Sequence, residues 1–70
     1  MTRYRCTNPH NPFAGHTALG RDTDKGFEVQ LDDFVKWSER MEQGYSPSGW
    51  ERQERNDWTE IQDTSEGMIL

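Results

Sequence analysis

The chain has little apolar material from which to build a core. Leu, Ile, Val and Phe together supply ten of its 70 residues, and a chain this short buries a smaller fraction of its surface than a longer one. Three Trp and two Tyr residues add bulk that a disordered chain usually lacks. A single cysteine rules out a disulfide within the chain. We therefore expect one small core that must bury nearly every large apolar side chain or be supported by a partner.

The clearest element is a strand that begins just after Gly26 and alternates apolar with polar residues. Its apolar positions are Phe27, Val29 and Leu31. Because strand side chains alternate between two faces, this spacing predicts a half-buried strand. A shorter alternation over residues 2–7 places Tyr4 and Cys6 on one face and predicts a second strand.

A helix is predicted next, over residues 33–43. Asp32 or Asp33 can accept hydrogen bonds from its first free backbone amides, and Gly44 can take the left-handed conformation that ends many helices. The helical period groups one face that we expect to turn toward the core, formed by Phe34, Trp37, Ser38 and Met41. Together with the strands, this predicts an α+β fold in which a small sheet packs against one helix.

Residues 8–26 carry turn signals and few apolar side chains. They contain two prolines and three glycines, which predicts a long N-terminal loop. Phe13 and Leu19 could tie this loop to the core, and residues 16–19 could add a short strand.

The segment that follows the turn at residues 45–49 fits either a helix or strands. Ser48 and Glu51 have the spacing of a helix capping box. The large apolar residues of the segment do not form a helical face, however. We favour two short strands, one at Trp50 and one near residues 58–61. Residues 62–70 are expected to form an extended tail, which leaves residues 1–61 as a single small domain.

Charge is unevenly distributed along the chain. Residues 1–26 carry four bases and two acids, whereas residues 27–70 carry four bases and eleven acids. Sequence-independent nucleic-acid binding needs an excess of Lys and Arg facing phosphate, so we predict no direct contact with nucleic acid. A partner with a basic surface is compatible with this charge.

Catalytic or metal-binding chemistry has little basis in this sequence. Cys6, His10 and His16 lie close together in sequence, but a structural zinc site needs four ligands and the spacing matches no common pairing. Nucleophilic catalysis would also need an orienting third group on a rigid scaffold. There is no phosphate-binding loop and no metalloprotease helix. We therefore predict no metal, no cofactor and no enzymatic activity.

The scattered aromatic and apolar residues instead favour a protein interface. Trp50 and Trp58 lie among charged residues, and Trp is enriched at binding hot spots, although both could equally cover the small core. We expect residues 50–70 to contact a partner, because this segment has no clean period with which to bury its apolar side on its own chain. The predicted interface residues are Phe13, Tyr45, Trp50, Trp58, Ile61, Met68, Ile69 and Leu70.

The N-terminus is polar and rich in turn residues, and no run approaches the length of a transmembrane segment. We therefore expect a soluble protein that makes no membrane contact and is not secreted through a signal peptide.

Residues 27–51, FEVQLDDFVKWSERMEQGYSPSGWE, resemble a pattern in small proteins encoded among the head and tail genes of tailed bacteriophages. The shared pattern is a short strand, an acidic pair, a helix, a glycine and a closing Trp-Glu. This chain differs in its longer turn at residues 44–49 and in its long N-terminal loop. The resemblance implies a virion-associated accessory protein without catalytic residues: a minor capsid, decoration or head-to-tail component. Such a protein would be made in the host cytoplasm and would bind other virion subunits or further copies of itself.

A second class of function is a small acidic phage inhibitor that binds a basic site on a host enzyme, as a DNA mimic does. The acidic residues of the C-terminal half suit this function. However, four bases interrupt the run of acids, namely Lys36, Arg40, Arg52 and Arg55. We therefore favour the assembly subunit.

Overall fold

The structure is a computed structural model and describes residues 1–61. Within them, five strands form one antiparallel sheet, and one helix packs against it. The elements are β1 (Thr2–Cys6), β2 (Thr17–Thr23), β3 (Gly26–Leu31), α1 (Phe34–Glu42), β4 (Glu51–Arg52) and β5 (Trp58–Ile61). The predicted α+β fold, with a small sheet against one helix, is confirmed. The predicted tail at residues 62–70 lies outside the described residues.

The sheet is curled rather than flat. Its strand order is β4-β3-β2-β1-β5, so the chain passes from one edge of the sheet to the other between β4 and β5. A flat sheet of five strands would be about 19 Å wide. The connection has only five residues, 53–57, and includes the compact 3-10 turn Arg55–Asp57. The indole Nε1 of Trp58 donates to Oε1 of Gln53 at 3.2 Å, which ties the two ends of this connection together.

The core lies on the concave face of the sheet. Its buried apolar residues are Tyr4, Cys6, Phe13, Ala18, Phe27, Val29, Leu31, Trp37 and Trp58. Tyr4 in β1 and Phe27 in β3 meet edge to face, with ring centroids 5.0 Å apart. They meet across Gly20 of β2, where an added Cβ would lie 2.4 Å from the Tyr4 ring. The residue of β2 at which the two rings meet therefore has to be glycine or similarly small.

This close approach explains why the prediction of a long loop over residues 8–26 is wrong for residues 17–23, of which only residues 17–19 fall in the short strand considered at residues 16–19. The buried side of β2 consists of Ala18 and Gly20, so the strand has no large apolar residue on its core face. Sequence patterns detect half-buried strands by their large apolar residues. A strand does not give that signal when its core-facing residues are small because side chains of the adjacent strands pack over them.

The remaining loop, between β1 and β2, is fixed to the connection before β5. Phe13 at its centre is fully buried. The side-chain amide of Asn11 donates to Gln53 Oε1 at 2.9 Å and to Asp57 Oδ2 at 3.0 Å, and Asn8 donates to Asp57 Oδ1 at 2.9 Å. Hydrogen bonds from these amides hold the pKa of the Asp57 carboxyl below its usual range, and the bond from Asn11 has the larger effect.

Helix α1 begins and ends as predicted. The Asp33 side chain accepts a hydrogen bond from the backbone amide of Lys36 at 3.1 Å, and Gly44 takes a φ of +84° just beyond the last turn. The face turned toward the core differs from the prediction, however. Trp37 is buried as expected, but Phe34 is 76% exposed and Met41 is 37% exposed.

A buried ion pair explains the orientation of the helix. Arg40, three residues after Trp37, donates from Nε and Nη2 to the carboxylate of Glu51 at 2.9 and 2.5 Å. Ser46 and Gln53 also donate to Glu51, at 2.9 and 3.1 Å. Because Arg40 must point inward to reach this carboxylate, the buried side of the helix is the Trp37–Arg40 side. The side that carries Phe34 faces outward.

Candidate protein interface

The outward side of α1 carries two adjacent large apolar side chains that are mostly exposed. Phe34 and Val35 are 76% and 68% exposed. Residues three, four or seven apart lie on the same side of a helix, so Ser38 and Met41 continue the row that starts at Phe34, and Glu42 lies next to Ser38 on the side that carries Val35. We call Phe34, Val35, Ser38, Met41 and Glu42 the helix surface.

The charges on α1 are separated between its two sides. Both basic side chains are held against the chain's own core: Lys36 Nζ lies 5.8 Å from the centre of the Phe13 ring, and Arg40 pairs with Glu51. Glu39 and Glu42 are exposed and form no salt bridge within residues 1–61. The helix surface is therefore apolar with an acidic border.

Tyr45 extends this exposed region beyond the C-terminal end of the helix. It is 59% exposed, and the Arg40 guanidinium stacks 4.0 Å from the centre of its ring. The backbone amide of Tyr45 also donates to the carbonyl of Arg40 at 3.0 Å. The ring is thus held in place while most of its surface stays accessible, as the sequence-based prediction of an interface residue requires.

Phe13 and Trp58 are not available to a partner in this fold. Phe13 is fully buried and Trp58 is 2% exposed, with their ring centroids 6.2 Å apart. Their assignment to the interface is wrong, as is the expectation that the segment beginning at Trp50 would not close the chain's own core. The segment reaches the core because β5 pairs with β1 and places Trp58 opposite Cys6. Only the curled sheet brings these residues together.

The other predicted interface residues have different outcomes. Trp50 is partly exposed beside β4, and the Arg21 guanidinium lies 4.0 Å from the centre of its ring. Ile61 is partly exposed in β5, opposite Arg3 of β1. These two residues lie at different edge strands, and neither belongs to the helix surface. Met68, Ile69 and Leu70 lie outside the described residues.

Phe34 and Val35 are not among the interface residues predicted from the sequence. Phe34 was assigned to the core because it shares a helical row with Met41. Its exposure depends on the pairing of Arg40 with Glu51, which no local pattern reveals. Val35 did give a signal, since it falls outside the predicted core face and is a large apolar residue on the polar side of the helix.

The residues considered for metal binding or nucleophilic chemistry are dispersed. No group of three or more His, Cys, Asp or Glu side chains that could hold a metal ion occurs within residues 1–61. Cys6 is buried, and burial raises the pKa of its thiol, which disfavours the reactive thiolate. His10 is exposed, and His16 lies with its Nδ1 atom 4.0 Å from Asp33. The absence of catalysis and of a cofactor stays a prediction.

In the described part of the chain, no helix has the length and apolar character needed to cross a membrane. Comparison of the chain with family models, curated proteins and solved structures gave no match.

Proposed function

We propose that the protein is a non-enzymatic subunit or accessory component of a larger protein assembly, and that the helix surface is its main contact with a partner. One observation carries this proposal: Phe34 and Val35 are adjacent, large, apolar and more than two-thirds exposed. In a chain this poor in apolar residues, such a pair outside the core is costly to solubility unless another protein covers it. Exposed apolar residues with a polar border are typical of interaction sites.

The charges around the surface indicate the chemistry of the partner. The acids Glu39 and Glu42 border the apolar residues, whereas Lys36 and Arg40 are held inward. Pairing the helix surfaces of two copies would bring these like charges together, which is unfavourable. We therefore expect a different protein, one that presents an apolar patch bordered by Lys and Arg.

The proposed assembly is the virion of a tailed bacteriophage. This part of the proposal is supported by the resemblance of residues 27–51, a range that contains the whole of α1. The resemblance and the exposed apolar surface therefore concern the same element of the molecule.

A second candidate is the acidic inhibitor that occupies a basic site on a host enzyme. It is favoured by the inward orientation of Lys36 and Arg40, because two of the bases that interrupt the acidic run do not face a partner. Phe34 and Val35 weigh against it, since a surface that replaces DNA needs carboxylates at those positions. The two candidates differ in which side chains carry the binding.

The test is affinity capture of virion proteins from cells that produce phage particles, with the bound proteins quantified. We compare the parent chain, Phe34→Ala/Val35→Ala and the control Glu39→Gln/Glu42→Gln. Alanine favours the helix, so the first variant should melt like the parent. Loss of a hot-spot pair costs about 2 kcal/mol or more, so we expect its capture of a virion protein to fall roughly 30-fold, and that of the control by much less.

Two results would contradict the proposal. Capture of a virion protein that is unaffected by Phe34→Ala/Val35→Ala would move the contact away from the helix surface. Capture of a host nuclease or polymerase that depends on Glu39 and Glu42, and not on Phe34 and Val35, would favour the inhibitor instead.

A further inference from the structure

A basic groove lies where β3 begins and the connection between β4 and β5 crosses the sheet. The groove encloses about 600 Å³, and Lys25, Arg52 and Arg55 line it together with Phe27. It adjoins Gly26, and none of its lining residues belongs to α1. The groove is therefore separate from the helix surface.

The three bases of the groove differ from three other arginines of the chain in their salt bridges. Arg3, Arg21 and Arg40 each form a salt bridge with a carboxylate. Within residues 1–61, Lys25, Arg52 and Arg55 form none. In a chain with thirteen acids and eight bases, three bases that form no salt bridge within residues 1–61 line one groove, together with the acids Glu54 and Asp57.

Arg55 is held in position before any ligand binds. Its guanidinium carbon lies 4.6 Å from the centre of the Tyr4 ring and 5.3 Å from that of Phe27. Its Nη1 atom donates to the carbonyl of Trp58 at 2.6 Å. A guanidinium has five N–H donors, so this one contact leaves others for a ligand. A fixed donor loses little entropy on binding, which strengthens recognition.

The carboxylate of Asp57, which also lines the groove, does not pair with its bases. Both of its carboxylate oxygens accept hydrogen bonds from the side-chain amides of Asn8 and Asn11. It forms no salt bridge with Arg55 or any other base of the described chain. The other acid of the groove, Glu54, is exposed and likewise has no basic partner within residues 1–61.

We propose that this groove binds a carboxylate-bearing peptide segment, with Arg55 and Arg52 donating hydrogen bonds to the carboxylate and Lys25 adding positive charge. Paired N–H donors of arginine match the geometry of a carboxylate. A nucleic-acid backbone is a poorer fit, because it needs a continuous stripe of bases and the net charge of −5 repels a long polyanion. The ligand is therefore a short acidic segment of another protein, and this site does not depend on the helix surface.

The test is an NMR titration of the ¹⁵N-labelled protein with the capped peptide GEEG, up to about 10 mM, well above the millimolar Kd expected of a single small contact. We expect saturable shifts at the amides of residues 25–27 and 52–55, and none with GQQG. The variant Lys25→Gln/Arg52→Gln should raise the Kd at least tenfold. Arg5→Gln is the matched control, because Arg5 is exposed and has no salt bridge within residues 1–61, and it should leave the Kd within about twofold.

Three results would overturn the proposal. The first is an absence of saturable shifts in the groove with GEEG. The second is an equal loss of affinity in Arg5→Gln, which would show that only overall charge matters. The third is binding of inorganic phosphate or hexathymidylate at the groove as tightly as GEEG, which would reassign it to phosphate.

Discussion

Replacing Arg40 with alanine removes the one cation that, within residues 1–61, pairs with a largely buried carboxylate. The Glu51 side chain is 10% exposed and accepts two hydrogen bonds from Arg40. Ser46 and Gln53 would remain as neutral donors to Glu51. The carboxylate would then be left in a poorly solvated position without the partner that compensates its charge.

The expected cost follows from the burial of the pair. Removing one partner of a buried ion pair destabilises a protein by about 3 to 5 kcal/mol. Arg40 is 19% exposed, so water reaches part of the guanidinium and we expect the lower end, about 3 kcal/mol. A chain of this length has a total stability of only about 5 kcal/mol, so Arg40→Ala should lie close to spontaneous unfolding.

Urea unfolding, monitored by circular dichroism, measures this cost. It appears as a lower midpoint urea concentration, while the slope of the unfolding free energy against urea stays constant. Arg40→Lys keeps a charge but loses the two-pronged contact, so it should fold and lose about 1 to 2 kcal/mol. The control is Lys36→Ala, on the same helix but without a carboxylate partner within residues 1–61, which should change stability by less than about 0.5 kcal/mol. If Arg40→Ala were as stable as the control, Glu51 would not depend on this pair and the explanation of the helix orientation would fail.

Four further variants test the crossing at Gly20, the buried side of α1 and the hydrogen bonds to Asp57. Gly20→Ala should destabilise the fold by about 1 to 3 kcal/mol in thermal melting, because its Cβ would lie 2.4 Å from the Tyr4 ring; a parent-like melt would contradict the close crossing. Trp37→Ala should cost about 3 to 5 kcal/mol, whereas Phe34→Ala should cost less than about 0.5 kcal/mol; equal losses would mean that Phe34 belongs to the core. Asp57 has a lowered pKa in the folded state, so it stabilises the fold above its ordinary pKa of 3.8, and this stability is lost as pH falls through the lower folded pKa. Asp57→Asn should therefore reduce the acid dependence of the melting temperature, and an unchanged pH profile would count against the asparagine contacts.

The strand, the helix and its ends could be predicted because their signals are local. The alternation in β3, the cap at Asp33 and the stop at Gly44 each depend on residues adjacent in sequence. For β2, the sequence allowed only a short strand at residues 16–19, and its full extent could not be predicted in the same way. The residues on its core face are small because the rings of Tyr4 and Phe27, from two other strands, pack over Gly20.

The interface was only partly predictable for a related reason. Tyr45 was among the predicted interface residues and is exposed, whereas Trp58 was misassigned because its burial depends on β5 pairing with β1, far away in sequence. The outward position of Phe34 depends on Arg40 meeting Glu51 eleven residues later. These three outcomes differ because contacts distant in sequence decide which apolar side chains the small core can accept.

Site-specific photo-crosslinking tests the helix surface most directly. p-Benzoylphenylalanine in place of Phe34 puts a reactive ring at the most exposed large apolar residue of α1, and the same group in place of the exposed Thr59 of β5 serves as the control. In cells that assemble phage particles, we expect position 34 to give one discrete adduct with a virion protein and position 59 to give none. No adduct at position 34, or the same adducts at both positions, would contradict the claim that this surface is a protein contact.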